Sequence, residues 1–407
     1  MNAHPTHRLL SSAAVGCLLA GWLCVADAPA ADQSLELSVK AGEHDRTNTP
    51  VRVLVEVPDE AKSVTLTGDD GTRLPAQLTA PGLINDSAQG KRELHFILPK
   101  LAAGESLKLS ATFSDDAPTG PAFSWQDKPE EYAELSCAGR PVVRYMCKPP
   151  DPKNVEETCK VFHHVYDPAG TRFVTKGPGG KYTHHRGLFF GYCNITYEGG
   201  RAGNWGCGTS WLAHAGLLAQ EAGPVLGRHQ VAVDWHGGKT VFAKERRELC
   251  AFIVPGGTLI EWTTRLATTG GKVTVDGNAP HAGFQFRADQ EVAETTGGQT
   301  YFIHPDGQTN PGQARASAFD LAWDAMSFVL GENRYTVVYL DRPDNPKPAE
   351  YNERTYGRFG SYFKYEIEEG KDLVARYRIW LQDGELTAEK AVALSNDFVD
   401  PPETSVE

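Results

Sequence analysis

Two histidines and an arginine stand together in KYTHHRGLFFGY, residues 181–192, where a run of aromatics begins. An imidazole near water titrates around neutral pH, as a general acid or base must. Read as an extended strand, Tyr182, His184 and Arg186 share one side, and Thr183, His185 and Gly187 the other. Beyond Gly187 both faces are aromatic or aliphatic, so the strand enters the interior there. That puts the ionisable trio at its mouth. One such histidine alone could equally donate to a carbonyl and hold a loop; the three together point to function.

A second stretch, HAGFQFRA at 281–288, alternates cleanly. Ala282, Phe284, Phe286 and Ala288 fall on one face, and His281, Gly283, Gln285 and Arg287 on the other. The first face belongs in a core. The second offers three hydrogen-bonding side chains and a glycine that leaves room, which suits the floor of a cleft better than a solvated face.

In VFAKERRELCAF, 241–252, Glu245 and Arg247 share a face, as do Arg246 and Glu248. Glu248 or Glu245 is the candidate carboxylate; a merely charged outer strand is the plainer alternative. The loop YLDRPDNPKPAEYNERTYGRFGSYF, 339–363, carries Asp341, Asn345, Arg354, Tyr356 and Arg358, which could cover a cleft. Rings that stack on C–H faces and planar polar groups that bind hydroxyls suit sugars. The competing reading is a surface loop held by its prolines.

Other histidines carry less weight. His229 reads as core-facing, one of His163 and His164 as surface, and His304 in IHPDG as the opening of a turn. A two-His-one-carboxylate set could be assembled from His184 or His185, His281 and a glutamate. No HxH or HExxH spacing supports it, so no metal or other cofactor is predicted.

These groups need elements to hold them. Residues 31–118 read as short period-two strands between turns, the pattern of a small immunoglobulin-like sandwich. A Pro/Gly/Asp-rich linker, SDDAPTGPA, follows. Residues 130–400 continue as strands and form a large antiparallel sandwich, with a short helix at 387–395. The expected fold class is all-β.

The first thirty residues read as a signal peptide: a basic start, an apolar run and small residues before a cut after Ala30. The mature chain is then periplasmic or extracellular, and nothing after Ala31 is long and apolar enough to enter a membrane. Formal net charge is −12 over 407 residues, with no compensating basic cluster, which excludes a general nucleic-acid role. Of 8 cysteines, Cys17 and Cys24 leave with the leader. The remaining even set favours disulfides, their pairing open.

The elements THHRGLFFGY, KERREL, HAGFQFRA, AMSFVLG and DRPDNPKPAEYNERTYGRFGSYF, in that order, resemble the bacterial methane oxygenase PmoA-like family over roughly residues 135–400. Methane oxidation is not carried over, because a membrane oxygenase subunit is a bundle of apolar helices and this chain has none. The resemblance implies a galactose-mutarotase-like sandwich that handles sugars with histidines and a carboxylate.

The expectation is an exported carbohydrate-active protein taking a saccharide or other small polar ligand, as a hydrolase, lyase or epimerase. His184 or His185 and His281 would act as acid and base, with Glu248 or Glu245 as partner. Arg186, Gln285, Arg287, Asp341, Asn345, Arg354 and Tyr356 would bind substrate. A non-catalytic binding protein and a metal-dependent oxidoreductase are the alternatives.

Overall fold

Alternation of buried and exposed residues drives the first sheet. In Ser34–Lys40, Arg46–Val55, Arg92–Leu101 and Ser106–Ser114, every second side chain or so turns inward. Leu37, Val51, Val53, Phe96, Leu98 and Leu109 fill a core that belongs to this sandwich alone. The computed structural model describes residues 34–118 and 120–407. The leader expected at 1–30 lies outside them. Seven strands make the sheet, and its last member is Glu403–Val406, which pairs antiparallel with Ser34–Lys40.

Residues 123–383 form two nine-stranded sheets and a four-stranded one. One large sheet centres on Leu188–Tyr192, Ala282–Arg287 and Arg358–Tyr362. The other centres on Thr240–Val254, Gly257–Thr268 and Asp372–Asp383. Aromatic rings interlock between them. Phe284 lies 4.9 Å from Trp262 and 4.6 Å from Tyr377, and Phe286 lies 6.2 Å from Phe328, centroid to centroid. Such pairs add to the gain from burial itself. The fold is all-β and antiparallel, with one C-terminal helix of any length.

That helix, Ala388–Val399, is capped by Thr387, whose side chain accepts from Lys390 N at 3.3 Å. It runs past the expected 395 because Phe398 continues the buried stripe of Ala391 and Leu394. Among the described residues no helix is long and apolar enough to cross a membrane.

Three local expectations are corrected. Residues 181–187 are a turn, and the strand starts at Leu188. Gly179, Gly180 and Tyr182 all take positive φ, 87°, 63° and 59°, and His185 N donates to Tyr182 O at 2.9 Å. His163 and His164 are both buried, because Phe162–Val165 runs within the sheet. The KERREL segment is no outer strand: Glu245, Arg247 and Glu248 are at most 2% exposed. His304 does open a turn, as expected: it ends the strand Tyr301–His304 and pairs with Gly307 across residues 305–306, and it is buried. Of the cysteines in the described residues, Cys159 and Cys207 are joined; Cys137, Cys147, Cys193 and Cys250 are free.

Candidate functional site

The turn at 181–187 feeds into Leu188–Tyr192, and register does the rest. Phe189 sits opposite Gln285, Gln285 opposite Gly360, and Arg287 opposite Arg358. Since Phe284 and Phe286 face the core, Gln285 and Arg287 face away from it. The turn folds over that second face. His184, His185, Arg186, Gln285 and Arg287 thereby line one hollow, with Trp205 and Arg358. His281 stands one residue before the strand and is exposed, its ring 6.3 Å from that of Trp205. The enclosed space is about 10 Å³, room for roughly one water-sized group.

Close strand approach shapes the floor. Gly283 takes φ +84°, and a Cβ there would meet Ser361 O at 2.0 Å. Tyr182 and Tyr356 lie beside these groups, their rings 4.6 Å apart, with Tyr182 stacked on His185 at 5.1 Å and Arg287 5.1 Å from the Tyr356 ring.

The electrostatics are one-sided. Arg287 and Arg358 lie directly opposite each other on neighbouring strands, an arrangement that destabilises a sheet by itself. Their hydrogen-bond partners are neutral. Arg287 Nη1 donates to Ala288 O at 2.6 Å and Nε points at His185 Nδ1 at 3.4 Å. Arg358 Nη2 donates to Asn352 Oδ1 at 2.7 Å, and Nη1 to Pro280 O. The lining holds no carboxylate among the described residues. Arg287 Nη2, Arg358 Nε and Trp205 Nε1 are buried N–H donors without a hydrogen-bond partner, and Gln285 Oε1 is a buried acceptor without one.

This field holds the imidazoles neutral. Burial, then Lys160 and His281, pushes His184 down to about 4. Burial, then His184, Arg358 and Arg287, pushes His185 far below its ordinary range. His281 is lowered by burial and by Arg358 and Arg354. Burial brings Arg186 and Arg287 down to about 10, so both remain charged at neutral pH. Neutral imidazoles beside guanidinium donors can accept protons, and a bound anion would restore their basicity.

Arg186 lines the hollow but works mainly on backbone. It donates to Thr183 O at 2.6 Å and His185 O at 2.8 Å, and also to Glu156 O, and it lies 3.8–3.9 Å from both disulfide sulfurs. It pins the turn to the Cys159–Cys207 link. Lys160 shares that task, donating to His184 O at 3.1 Å and to Trp205 O. Lys160 and Trp205 were not anticipated. A lone cation in the apolar run CKVF was the signal for the lysine; Trp205 had none.

The other candidates lie elsewhere. Glu245 is fully buried against Arg247 at 2.8 Å, and takes hydrogen bonds from Trp235 Nε1 and Thr264 Oγ1, each at 2.9 Å. Glu248 accepts from Leu83 N at 2.9 Å and Gln230 Nε2 at 2.8 Å, towards the small sandwich. Neither reaches the histidines, so the two-His-one-carboxylate set is not assembled. Asp341 takes Lys347 Nζ at 3.0 Å, and Asn345 bonds Arg376 O and N, each at 2.8 Å. They fasten their loop to the opposite large sheet. Of that loop, Tyr356 and Arg358 reach the hollow; Arg354 acts on His281 through its charge.

The family whose model matches the chain is a family of unknown function (DUF6807), over residues 132–396. This corrects the resemblance to a methane oxygenase PmoA-like family: the stretches that carried it all fall inside the residues that DUF6807 matches. No curated protein matches the chain. Among solved structures, the chain is similar to an alpha-mannosidase from Enterococcus faecalis V583, at 8% identity and TM-score 0.45, over 92% of this chain and 46% of that one. It is similar to a protein in the glycosyl hydrolase family 38 from Enterococcus faecalis, at 8% identity and TM-score 0.48, over 92% and 47%. It is also similar to a galactose mutarotase related enzyme from Lactobacillus acidophilus, at 11% identity and TM-score 0.28, over 56% and 95%. The chain thus spans under half the length of the two Enterococcus proteins.

Proposed function

The chain belongs to DUF6807, a family of unknown function, and on the charge of its hollow we propose an exported carbohydrate-active protein that takes an acidic saccharide. The observation that carries this is Arg287 directly opposite Arg358 in a lining without a carboxylate. Two convergent guanidiniums with unpaired N–H groups match a carboxylate. The space has room for about one water-sized group, so a single carboxylate oxygen would enter it and the sugar would lie outside, against Tyr182 and Tyr356.

A histidine base beside a clamped carboxylate suits removal of the proton on the adjacent carbon. The base takes that proton, and the arginines hold the charge that develops on the carboxylate oxygens. Expulsion of a neighbouring oxygen substituent completes a lyase; return of a proton to the other face completes an epimerase. In this reading His184 in the lining and His281 at the rim would serve as base and acid. Hydrolysis by paired carboxylates finds no pair in this lining. The Cys159–Cys207 disulfide supports export.

The test is a thermal-shift series on the whole protein with uronate-containing and neutral oligosaccharides. Uronates are expected to raise the melting temperature, and Arg287→Gln to abolish the rise. Equal response to neutral sugars, or none to uronates, would sink the reading. A non-catalytic binding role is favoured by the paired tyrosines beside the hollow. His184→Gln decides between them: retained binding with lost turnover marks an enzyme, and no turnover in either protein marks a binder.

A further inference from the structure

A different polar cluster sits between the two large sheets. His304 closes Tyr301–His304 and Asp324 is second in Trp323–Leu330, both in one sheet; Glu353 comes from Glu350–Arg354 of the other. All three are at most 1% exposed. His304 Nε2 contacts Glu353 Oε1 and lies 3.9 Å from Asp324 Oδ1. One donor atom from each residue lies within 4.8 Å of the other two.

The cluster is short of positive charge. Two carboxylates stand in the buried interior beside one imidazole. Glu353 Oε2 accepts from Arg315 N at 2.7 Å, but the Arg315 guanidinium turns outward to Asp306, also at 2.7 Å. Both oxygens of Asp324 are buried without a hydrogen-bond partner. An unpaired carboxylate in such a place costs several kcal/mol or more. A proton on Asp324 would remove the charge, yet its O–H would have no acceptor. A divalent cation offsets both charges and gives the orphaned Asp324 carboxylate a partner.

We propose that His304, Asp324 and Glu353 bind one divalent transition-metal ion that clamps the two sheets together. One imidazole nitrogen with two carboxylates is a mixed N/O set, suited to Zn²⁺ or Mn²⁺ rather than to the all-oxygen preference of Ca²⁺ or Mg²⁺. The ion also reaches the hollow indirectly. Asn352, next to Glu353, holds Arg358 through the 2.7 Å hydrogen bond described above. Fixing Glu350–Arg354 therefore fixes one of the two opposed guanidiniums. The inference does not depend on what the hollow binds.

The experiment uses the whole protein without a histidine tag. It is stripped with chelator, re-equilibrated with Zn²⁺ or Mn²⁺, desalted and analysed for metal. About one ion per chain is expected, with a lower melting temperature when stripped. Asp324→Asn, nearly isosteric, should lose the ion and become indifferent to chelator. A folded wild type without stoichiometric metal overturns the proposal. So does an Asp324→Asn protein as stable as wild type when the wild type is itself chelator-insensitive, since Asp324 then simply carries a proton. Should the variant not fold, Co²⁺ added to stripped wild type decides. Ligand-field absorption saturating at one equivalent supports the site, and its absence refutes it.

Discussion

At the scale of residues, the hollow is a problem in unbalanced charge. His185 is only 6% exposed and its Nδ1 faces a guanidinium. His184 has the freer position and falls from 6.5 to about 4; buried His164 falls from 6.5 to about 3. In each case burial is the first cause. The consequence for stability has a definite sign. Below pH 6.5 the unfolded chain takes up protons that the folded one refuses, so the stability these groups allow is complete above that pH. It is lost as pH falls towards 4. Melting temperature recorded from pH 7.5 to 4 is expected to drop steadily below 6.5. A saturating anionic ligand, by restoring the basicity of the imidazoles in the hollow, should flatten part of this drop. A flat profile without ligand would contradict the burial of these rings.

At the scale of elements, the site depends on strands that approach closely and a turn that folds back. Gly283 carries the first condition: at φ +84° with Ser361 O so near, a methyl group cannot be housed. Gly283→Ala is expected to cost on the order of 1–3 kcal/mol and to displace Gln285 and Arg287. Chemical denaturation measures the first effect, and loss of the uronate response the second. The 281–288 face was legible in the sequence because one side of that strand is apolar and period two separates the faces. The turn at 181–187 was not, because Tyr182 adopts a left-handed conformation that its residue type does not advertise. The place of Glu245 and Glu248 was hidden for another reason. Their partners Trp235, Thr264 and Leu83 come from other strands and from the small sandwich, so only tertiary contacts tell a buried ion pair from an outer charged face. Lys160 and Trp205 reach the hollow the same way.

At the scale of the molecule, the small sandwich is tied to the large one by buried charge. Arg228, 1% exposed, pairs with Glu93 at 2.9 Å and with Glu221, and lies 3.9 Å from Glu248. Gln77 Oε1 accepts from Val225 N at 3.0 Å and Leu226 N at 2.9 Å. Removing one partner from such a network leaves the rest uncompensated, and Glu93→Ala is expected to cost roughly 3–5 kcal/mol. In the wild type both sandwiches should melt together in calorimetry; two separated wild-type transitions would show that this network does not couple them. The sheet that Ser34–Lys40 helps form is completed by Glu403–Val406, through pairs running from Lys40↔Glu403 to Leu37↔Val406. The two strands are antiparallel, so Ser34 and Val406 lie at the same end of this ladder. Tension applied to those two ends would therefore peel it open like a zipper, one rung at a time, instead of shearing all its rungs together. Under load the sandwich made from the start of the chain would give way first, at low force, before the aromatic interior beneath the hollow felt any pull.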